Sequence, residues 1–354
     1  MHDLQERLIN NIQRPLQIGT HCMDNRLVFA PMSGLGHVAF RELLADYGAY
    51  ALLFSEMSSA KAIPNENRYH SPVFRWRDEE RHLLVWQILG NSPQDMAKAA
   101  RRIAQEGFFG IDINFGCSVA RICKRGMGAY LLKNPDQAMD IVKAVRDVVD
   151  IPLWVKFRTG WLEPDNRTKL VPSDLSDSAV AFACMLEEAG TDAITFHPRV
   201  APDRRTRPPT WAHIAKIKQA VNIPVFGNGN VFDLRDCYDM FDQTSCDGIS
   251  LGRIALAKPW VFAELNGQFH PDENTYIEAI FRYIQLLEKH YDPRQAIKRF
   301  YKYSRYYCAS FRFGNTLRAK IRKSKTFDEI KGVLQHFFKD PLLLNQRPNE
   351  NLFV

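Results

Sequence analysis

Eight short apolar runs recur along the chain, at residues 26–30, 50–57, 83–90, 111–115, 151–158, 192–199, 223–230 and 246–253. Most are separated by stretches that read as helices, at 40–48, from Ser92 onward, and at 134–150, 177–190, 211–221 and 234–244. In 134–150 the apolar residues fall at 138, 141, 142, 145, 148 and 149, the spacing of one helix face. Pro93 suits a first helical turn and Gly190 a helix C-cap. Strands alternating with helices build a parallel sheet, and eight of them fit a closed barrel better than an open doubly wound sheet. A chain of 354 residues with 45% hydrophobic content is long enough for one such barrel and a smaller companion. The expected architecture is an α/β chain with a (β/α)8 barrel over residues 1–265, its first 25 residues a lead-in, then an α-helical domain over 266–354.

Where the polar residues lie is informative. Strand after strand ends with one polar or turn residue: Met32 and Ser33, Glu56, Gln87, Asn114 with Cys117, Lys156, His197 with Arg199, Asn228, and Arg253. In a parallel barrel those ends converge on one face, where active sites are found. A single polar strand end is a capped turn; eight together make a site. GNGN at 227–230 and LGR at 251–253 put glycines at the seventh and eighth strand ends, the customary phosphate position, and Arg253 adds a charge-assisted contact. This points to a phosphorylated cofactor, although ordinary tight turns need the same glycines. No GxGxxG and no Walker lysine motif occurs, so a Rossmann site and a P-loop are unsupported.

Lys156 sits in an otherwise apolar strand, where a cation needs an anionic partner or a depressed pKa. The negatively charged N1–C2=O edge of a reduced flavin is such a partner, and Gln87 offers a donor and an acceptor to the pyrimidine edge of the same ring. Either residue alone reads more simply as satisfied within the fold; both in one barrel mouth with a phosphate site favour the cofactor. Between 111 and 132 the strand breaks at Gly116, presents Cys117, and enters a basic loop through Arg121, Lys124, Arg125, Gly126 and Gly128. Asn114 and Cys117 bring a carboxamide and a thiol to one strand end, the first able to hold a polar ring and the second to give it a proton. An isolated cysteine there reads more simply as a small buried residue before a surface loop.

The net charge of +7 is unevenly spread. Between Arg282 and Lys325 there are thirteen Lys or Arg against two acids, so the rest of the chain is net negative. Such asymmetry suggests a polyanion met by the C-terminal part while the barrel holds the chemistry, the alternative being a solvated helix face. Tyr301, Tyr303, Tyr306, Tyr307, Phe311 and Phe313 are interleaved there with Lys302, Arg305 and Arg312, a mixture that suits either base stacking with phosphate contact or a helix core. Seven cysteines form no CxxC pair and no zinc spacing with histidine, so neither a disulfide framework nor a metal is expected. No apolar run approaches the roughly 20 residues needed to span a bilayer, and a cytoplasmic protein without a membrane partner is expected.

The motifs APMSG (30–34), SEMSSAKA (55–62), QILG (87–90), DINFGCSVARICKRGMGAYLL (112–132), VKFRTGW (155–161), HPR (197–199), GNGNV (227–231) and DGISLGRIALAKPWVF (247–262) occur in this order. Together they resemble the motifs of the bacterial tRNA-dihydrouridine synthases. The resemblance implies a TIM barrel binding FMN, a helical domain that aids binding of tRNA, and NADPH as reductant; a monomer is expected. Carried onto this sequence, it implies that Pro31, Met32 and Ser33 cover the flavin and Gln87 holds its pyrimidine edge. Lys156 and His197 would contact the ring, and Asn228, Gly229, Asn230, Gly252 and Arg253 would surround the phosphate. Cys117 matches the proton donor and Asn114 the uracil-facing residue; Glu56, Arg199, Arg121, Lys124 and Arg125 are expected on the substrate side. The chain departs from the family pattern at Ser118, usually proline, at Pro198 in the usual HGR, and in the segment APDRRTRPPT.

The reaction implied is hydride addition from the flavin to C6 of a uracil and protonation of C5 by Cys117. A thiol of ordinary pKa, about 8.5, is mostly protonated near neutrality and serves as an acid. Two other readings stay open. One is an FMN barrel oxidoreductase of a small conjugated substrate, resembling dihydroorotate or ene reductases, which has no need for the basic segment. The other is a flavin-bearing RNA-binding module with little catalysis, marked by steeply salt-dependent binding.

Overall fold

The computed structural model describes residues 2–162, 172–202 and 208–353. Most of the charged loop expected at 160–175 and the middle of APDRRTRPPT therefore lie outside the described residues. Two short strands, β1 (Leu16–Ile18) and β2 (His21–Met23), form an antiparallel hairpin. The barrel strands are β3 (Leu27–Phe29), β4 (Leu52–Phe54), β6 (Leu84–Leu89), β7 (Gly110–Phe115), β8 (Leu153–Trp161), β9 (Ala193–Ala201), β10 (Val225–Asn228) and β11 (Gly248–Leu251). Each pairs in parallel with its neighbour, and β11 pairs with β3, so the sheet closes on itself. A two-residue strand, β5 (Ser58–Ser59), adds to the end of β6. All eight expected strands are present, with shifted ends: β8 and β9 run on to Trp161 and Ala201, where they pair beyond an irregularity in register.

The ring is wrapped by α2 (Val38–Ala45), α3 (Pro93–Gln105), α5 (Pro135–Arg146), α6 (Pro172–Glu188), α7 (Ala212–Ala220) and α8 (Leu234–Thr244), while the short α4 (Ala120–Cys123) follows β7. Ser92 caps α3 by accepting from Asp95 N at 3.2 Å, and Pro93 occupies its first turn. Strand side chains alternate between two apolar environments. Leu27, Phe29, Trp86, Ile88, Ile111, Ile113, Val155, Phe157, Ile194 and Phe196 face outward into the core shared with the helices. Val28, Leu52, Phe54, Val85, Trp154 and Phe226 point inward and form a separate cluster. Trp154 stands edge-on to Phe54 with centroids 5.7 Å apart and lies 5.8 Å from Phe226, so the lower barrel is filled by rings.

The lead-in to the barrel is itself folded. Helix α1 (His2–Ile12) buries Leu8 and Ile12, and the hairpin places Ile18 and Met23 in the inner cluster. For the hairpin the reason is physical: the apolar lower layer opens at the end of the barrel opposite the strand C-termini and must be shielded from water, whereas α1 packs against α8 in the outer core.

After β11 come α9 (Arg253–Ala257), α10 (Val261–Leu265) and four longer helices, α11 (Glu273–His290), α12 (Pro293–Cys308), α13 (Gly314–Lys323) and α14 (Phe327–Phe337). Asp272 and Thr275 form a capping box that starts α11, and Asp292 caps α12 by accepting from Gln295 N at 3.0 Å. Helix α11 lies against α2, and α12 against α9, so their apolar faces join the barrel core. Tyr303, Tyr306, Tyr307 and Phe311 are buried there; Phe313, 57% exposed, is available for stacking. Exposed cations of this region include Lys298, Arg312, Lys320, Arg322 and Lys323. None of the described helices is long and apolar enough to cross a membrane.

The contact between α2 and α11 contains a buried histidine. His37 Nε2 lies 3.2 Å from the Tyr283 hydroxyl, and burial, with Arg299 and Arg41 nearby, pushes the imidazole well below its ordinary pKa. His37 is thus neutral when folded but binds a proton below about pH 6.5 when unfolded, so its contribution to stability is lost as pH falls through that range. Between pH 7 and 5.5 the wild-type chain should lose roughly 1 kcal/mol more stability than His37→Gln in denaturant titrations. Parallel losses would show that His37 is not the linked group.

Candidate active site

Period-two alternation that sends apolar side chains into the lower barrel sends polar ones into its upper end. Gln87 pairs in register with Asp112, Asn114 with Lys156, Lys156 with Thr195, and Asn228 with Ser250. The result is a ring of polar groups above the Trp154 layer, opening into a cleft of about 280 Å³. Its first wall is Pro31, Met32 and Ser33 after β3. Gln87, Asn114, Cys117, Lys156, His197 and Arg199 continue around it, and Asn228, Gly229, Asn230, Gly252 and Arg253 complete it.

The polar groups brace one another. Gln87 donates to Asp112 Oδ2 at 2.6 Å and accepts from Asn114 Nδ2 at 2.8 Å. Asn114 Oδ1 then accepts from the backbone N–H of Gly116 (3.1 Å) and of Cys117 (2.9 Å), so the carboxamide shapes the turn that carries the thiol. The Cys117 carbonyl accepts from Ala129 N at 3.0 Å and from the Cys123 thiol at 3.4 Å. Across the cleft Lys156 Nζ donates to Asn228 Oδ1 at 2.9 Å, and Asn228 Nδ2 donates to Ser250 O at 2.6 Å. Burial pushes Asp112 up to about 7 and Lys156 down to about 8, while their mutual attraction opposes both shifts. His197 is pushed well below its ordinary pKa by burial and by Arg158, Lys156, Arg199 and Arg253, so it is a neutral ring at physiological pH.

At the far end two guanidinium groups meet one oxygen. Arg253 Nη2 lies 2.6 Å and Arg199 Nη2 3.2 Å from Asn230 Oδ1. Gly229 has φ +121°, and a side chain there would run into His197 at 2.9 Å. Gly252 packs against Met32 Sδ, where a Cβ would come within 3.1 Å. Cation density, exposed backbone and absent side chains together make an anion cradle.

Four expected substrate-side residues do not line the cleft. Arg121, Lys124 and Arg125 are exposed on and just after α4, beside the rim residue Val119. Glu56 is 5% exposed, accepts from Gly34 N at 2.5 Å, and faces Arg299 of α12 at 3.8 Å. Burial raises its pKa, with Arg299 opposing. It is therefore a brace between the first barrel loop and the C-terminal helices. Asp112 and Arg158 went unrecognised in the sequence. Both lie two residues from a recognised one, Asn114 and Lys156, and strand periodicity alone assigns each to the inner face.

The chain is a closed parallel α/β barrel with its polar cleft at the strand C-termini. Among solved structures it is similar to the old yellow enzyme from Trypanosoma cruzi, with a TM-score of 0.55 and 12% identity over 80% of this chain and 99% of that one, which speaks to fold. Sequence comparison is more specific. The profile of the dihydrouridine synthase family matches residues 28–341. A probable tRNA-dihydrouridine synthase 1 of Synechocystis is 30% identical over 91% of this chain and 88% of its own. tRNA-dihydrouridine synthase B of Pseudomonas aeruginosa is 29% identical over 92% and 96%. The chain belongs to the dihydrouridine synthase family.

The turn holding Cys117 yields a stability test. Gly128 has φ +65°, and a Cβ there would stand 2.7 Å from the Cys117 carbonyl oxygen, whereas Gly48, at φ +70°, has nothing within 4 Å. Both Gly→Ala changes incur the left-handed backbone cost of about 1 kcal/mol, and Gly128→Ala should lose about 1–2 kcal/mol more in denaturant unfolding. Equal losses would mean that the Cys117 turn yields freely.

Proposed function

We propose that the chain reduces the C5=C6 bond of uridines in tRNA to 5,6-dihydrouridine, with FMN held in the cleft and NADPH as reductant. Family membership supports the reaction, and relatives that are tRNA-dihydrouridine synthases by name support tRNA as the substrate. The observation that carries the reading is the Asn114 carboxamide accepting from the Cys117 backbone N–H at the mouth of a cleft lined by polar side chains from the strand ends.

The residues present fit a flavin phosphate. Ser250 lines the cleft, is 2% exposed, and its Oγ has no hydrogen-bond partner among the described residues. Such a buried hydroxyl calls for a partner from a bound group. On this reading Asn228, Gly229, Asn230, Gly252 and Arg253 hold the phosphate, Gln87 meets the pyrimidine edge, Lys156 and His197 meet the ring, and Pro31, Met32 and Ser33 cover it. When bound and reduced at the expense of NADPH, the flavin supplies the hydride that adds to C6.

The chain's own residues do the rest. Cys117 Sγ gives its proton to C5, so the product gains one hydride and one proton across the former double bond. Asn114 fixes the approach of that thiol through the turn and turns the second N–H of its amide nitrogen to the uracil. Lys156 stabilises negative charge on the ring, and neutral His197 donates a hydrogen bond without adding a fifth cation to Lys156, Arg158, Arg199 and Arg253. A uracil stacked in RNA has to leave the stack to reach the barrel mouth. Arg121, Lys124 and Arg125, together with the exposed cations of α12 and α13, hold the backbone while it does so.

Cys117→Ala should keep the yellow colour of bound flavin and lower the rate of dihydrouridine formation by about 10²–10⁴. Rate measurements on tRNA transcripts with NADPH check this. Undiminished turnover in that variant would remove Cys117 as the acid.

A further inference from the structure

Residues 342–353 lie beyond the segment that the family profile matches. They are bound to the protein nonetheless. Backbone bonds of 2.8 Å from Arg312 N to Leu343 O, from Asn345 N to Ser310 O and from Asn349 N to Ala309 O run this segment past the end of α12. Its last turn buries Leu352 and Phe353 completely or nearly so. Phe353 stacks on Tyr306 of α12, with centroids 5.3 Å apart, and on Phe232, 5.7 Å away.

Phe232 and Arg253 both line the cleft at its cationic end. The Arg253 guanidinium stands 4.9 Å from the Phe232 ring centre and 5.5 Å from that of Phe353, and Glu350 Oε2 is 4.0 Å from its Nη1. Arg347 stands 5.0 Å from the same Phe232 ring and is tied to Asp233 and Asp236 at 3.3 and 2.8 Å. A guanidinium on a flexible stem loses side-chain freedom when it takes hold of an anion, and packing it beforehand against rings and a carboxylate removes much of that cost.

We propose that the C-terminal segment is a working part of the cofactor site. Phe353 and Glu350 are positioning residues that hold Arg253 and Phe232 ready for the flavin phosphate. The inference rests on the flavin reading of the cleft. It also predicts something that reading does not: the segment matters for the phosphate, not for the ring.

The test titrates FMN and riboflavin, which lacks the phosphate, into the flavin-free chain while following flavin fluorescence. Phe353→Ala should weaken FMN binding about tenfold, the scale of the lost cation–π contact to Arg253 and the lost ring support of Phe232, and change riboflavin binding by no more than about twofold. Phe353→Leu, which keeps apolar volume, should fall between the two and decides the matter if the alanine variant does not fold. Unchanged FMN affinity, or equal weakening of both ligands as general loosening would produce, overturns the proposal. A wild-type chain that binds neither ligand defeats the flavin reading itself, and the role of the tail with it.

Discussion

A closed ring of eight strands leaves an interior only as wide as its own side chains, and here the Trp154 indole and the rings around it occupy the lower half. Everything above depends on that filling. Two residues along β8 from Trp154 is Lys156, and the same two-residue step leads from Phe226 to Asn228 and from Val85 to Gln87. The apolar floor therefore sets the height of the polar layer, and the low polarizability beneath it strengthens each charge interaction above. Asp112 is buried at this boundary, so its carboxylate relies on Gln87 and on the attraction of Lys156.

The chemical groups are held by bonds that the strands alone do not supply. Asn114 ties Gln87 to the Cys117 turn, and Gly128 lets the chain pass close behind that turn. On the opposite side α12 reaches the first strand end, with Lys302 Nζ donating to the Ser33 carbonyl and Arg299 facing Glu56. The cationic helices and the cleft are thus mechanically joined. Under the proposed reaction, a backbone held on those helices sits at a fixed distance from the thiol that meets its base.

Much of this arrangement was legible in the sequence. The eight strands, the convergence of their polar ends and the cysteine turn follow from periodicity and from one unusual residue per strand. Less legible was anything set by contacts between distant segments. Glu56 looked like a cleft residue because it ends a strand, yet its carboxylate is drawn aside by Gly34 and by Arg299, more than two hundred residues away. Residues 1–25 mix charges without an obvious core; the open lower end of the barrel explains why Ile18 and Met23 are buried, and the packing of α1 against α8 explains Leu8 and Ile12. Asp112 and Arg158 were missed for another reason: in strands read as apolar, the polar neighbour of a recognised residue attracts no notice unless the inner face is traced residue by residue.

If this cleft reduces uridine in tRNA, a site-resolved map of dihydrouridine in total RNA from cells with and without this gene will show it. Loss of the modified base at one or a few tRNA positions, and its return when the gene is restored, is the expected result. Unchanged RNA, in cells holding no second enzyme of this kind, would contradict it and would leave the small-substrate barrel oxidoreductase as the better reading.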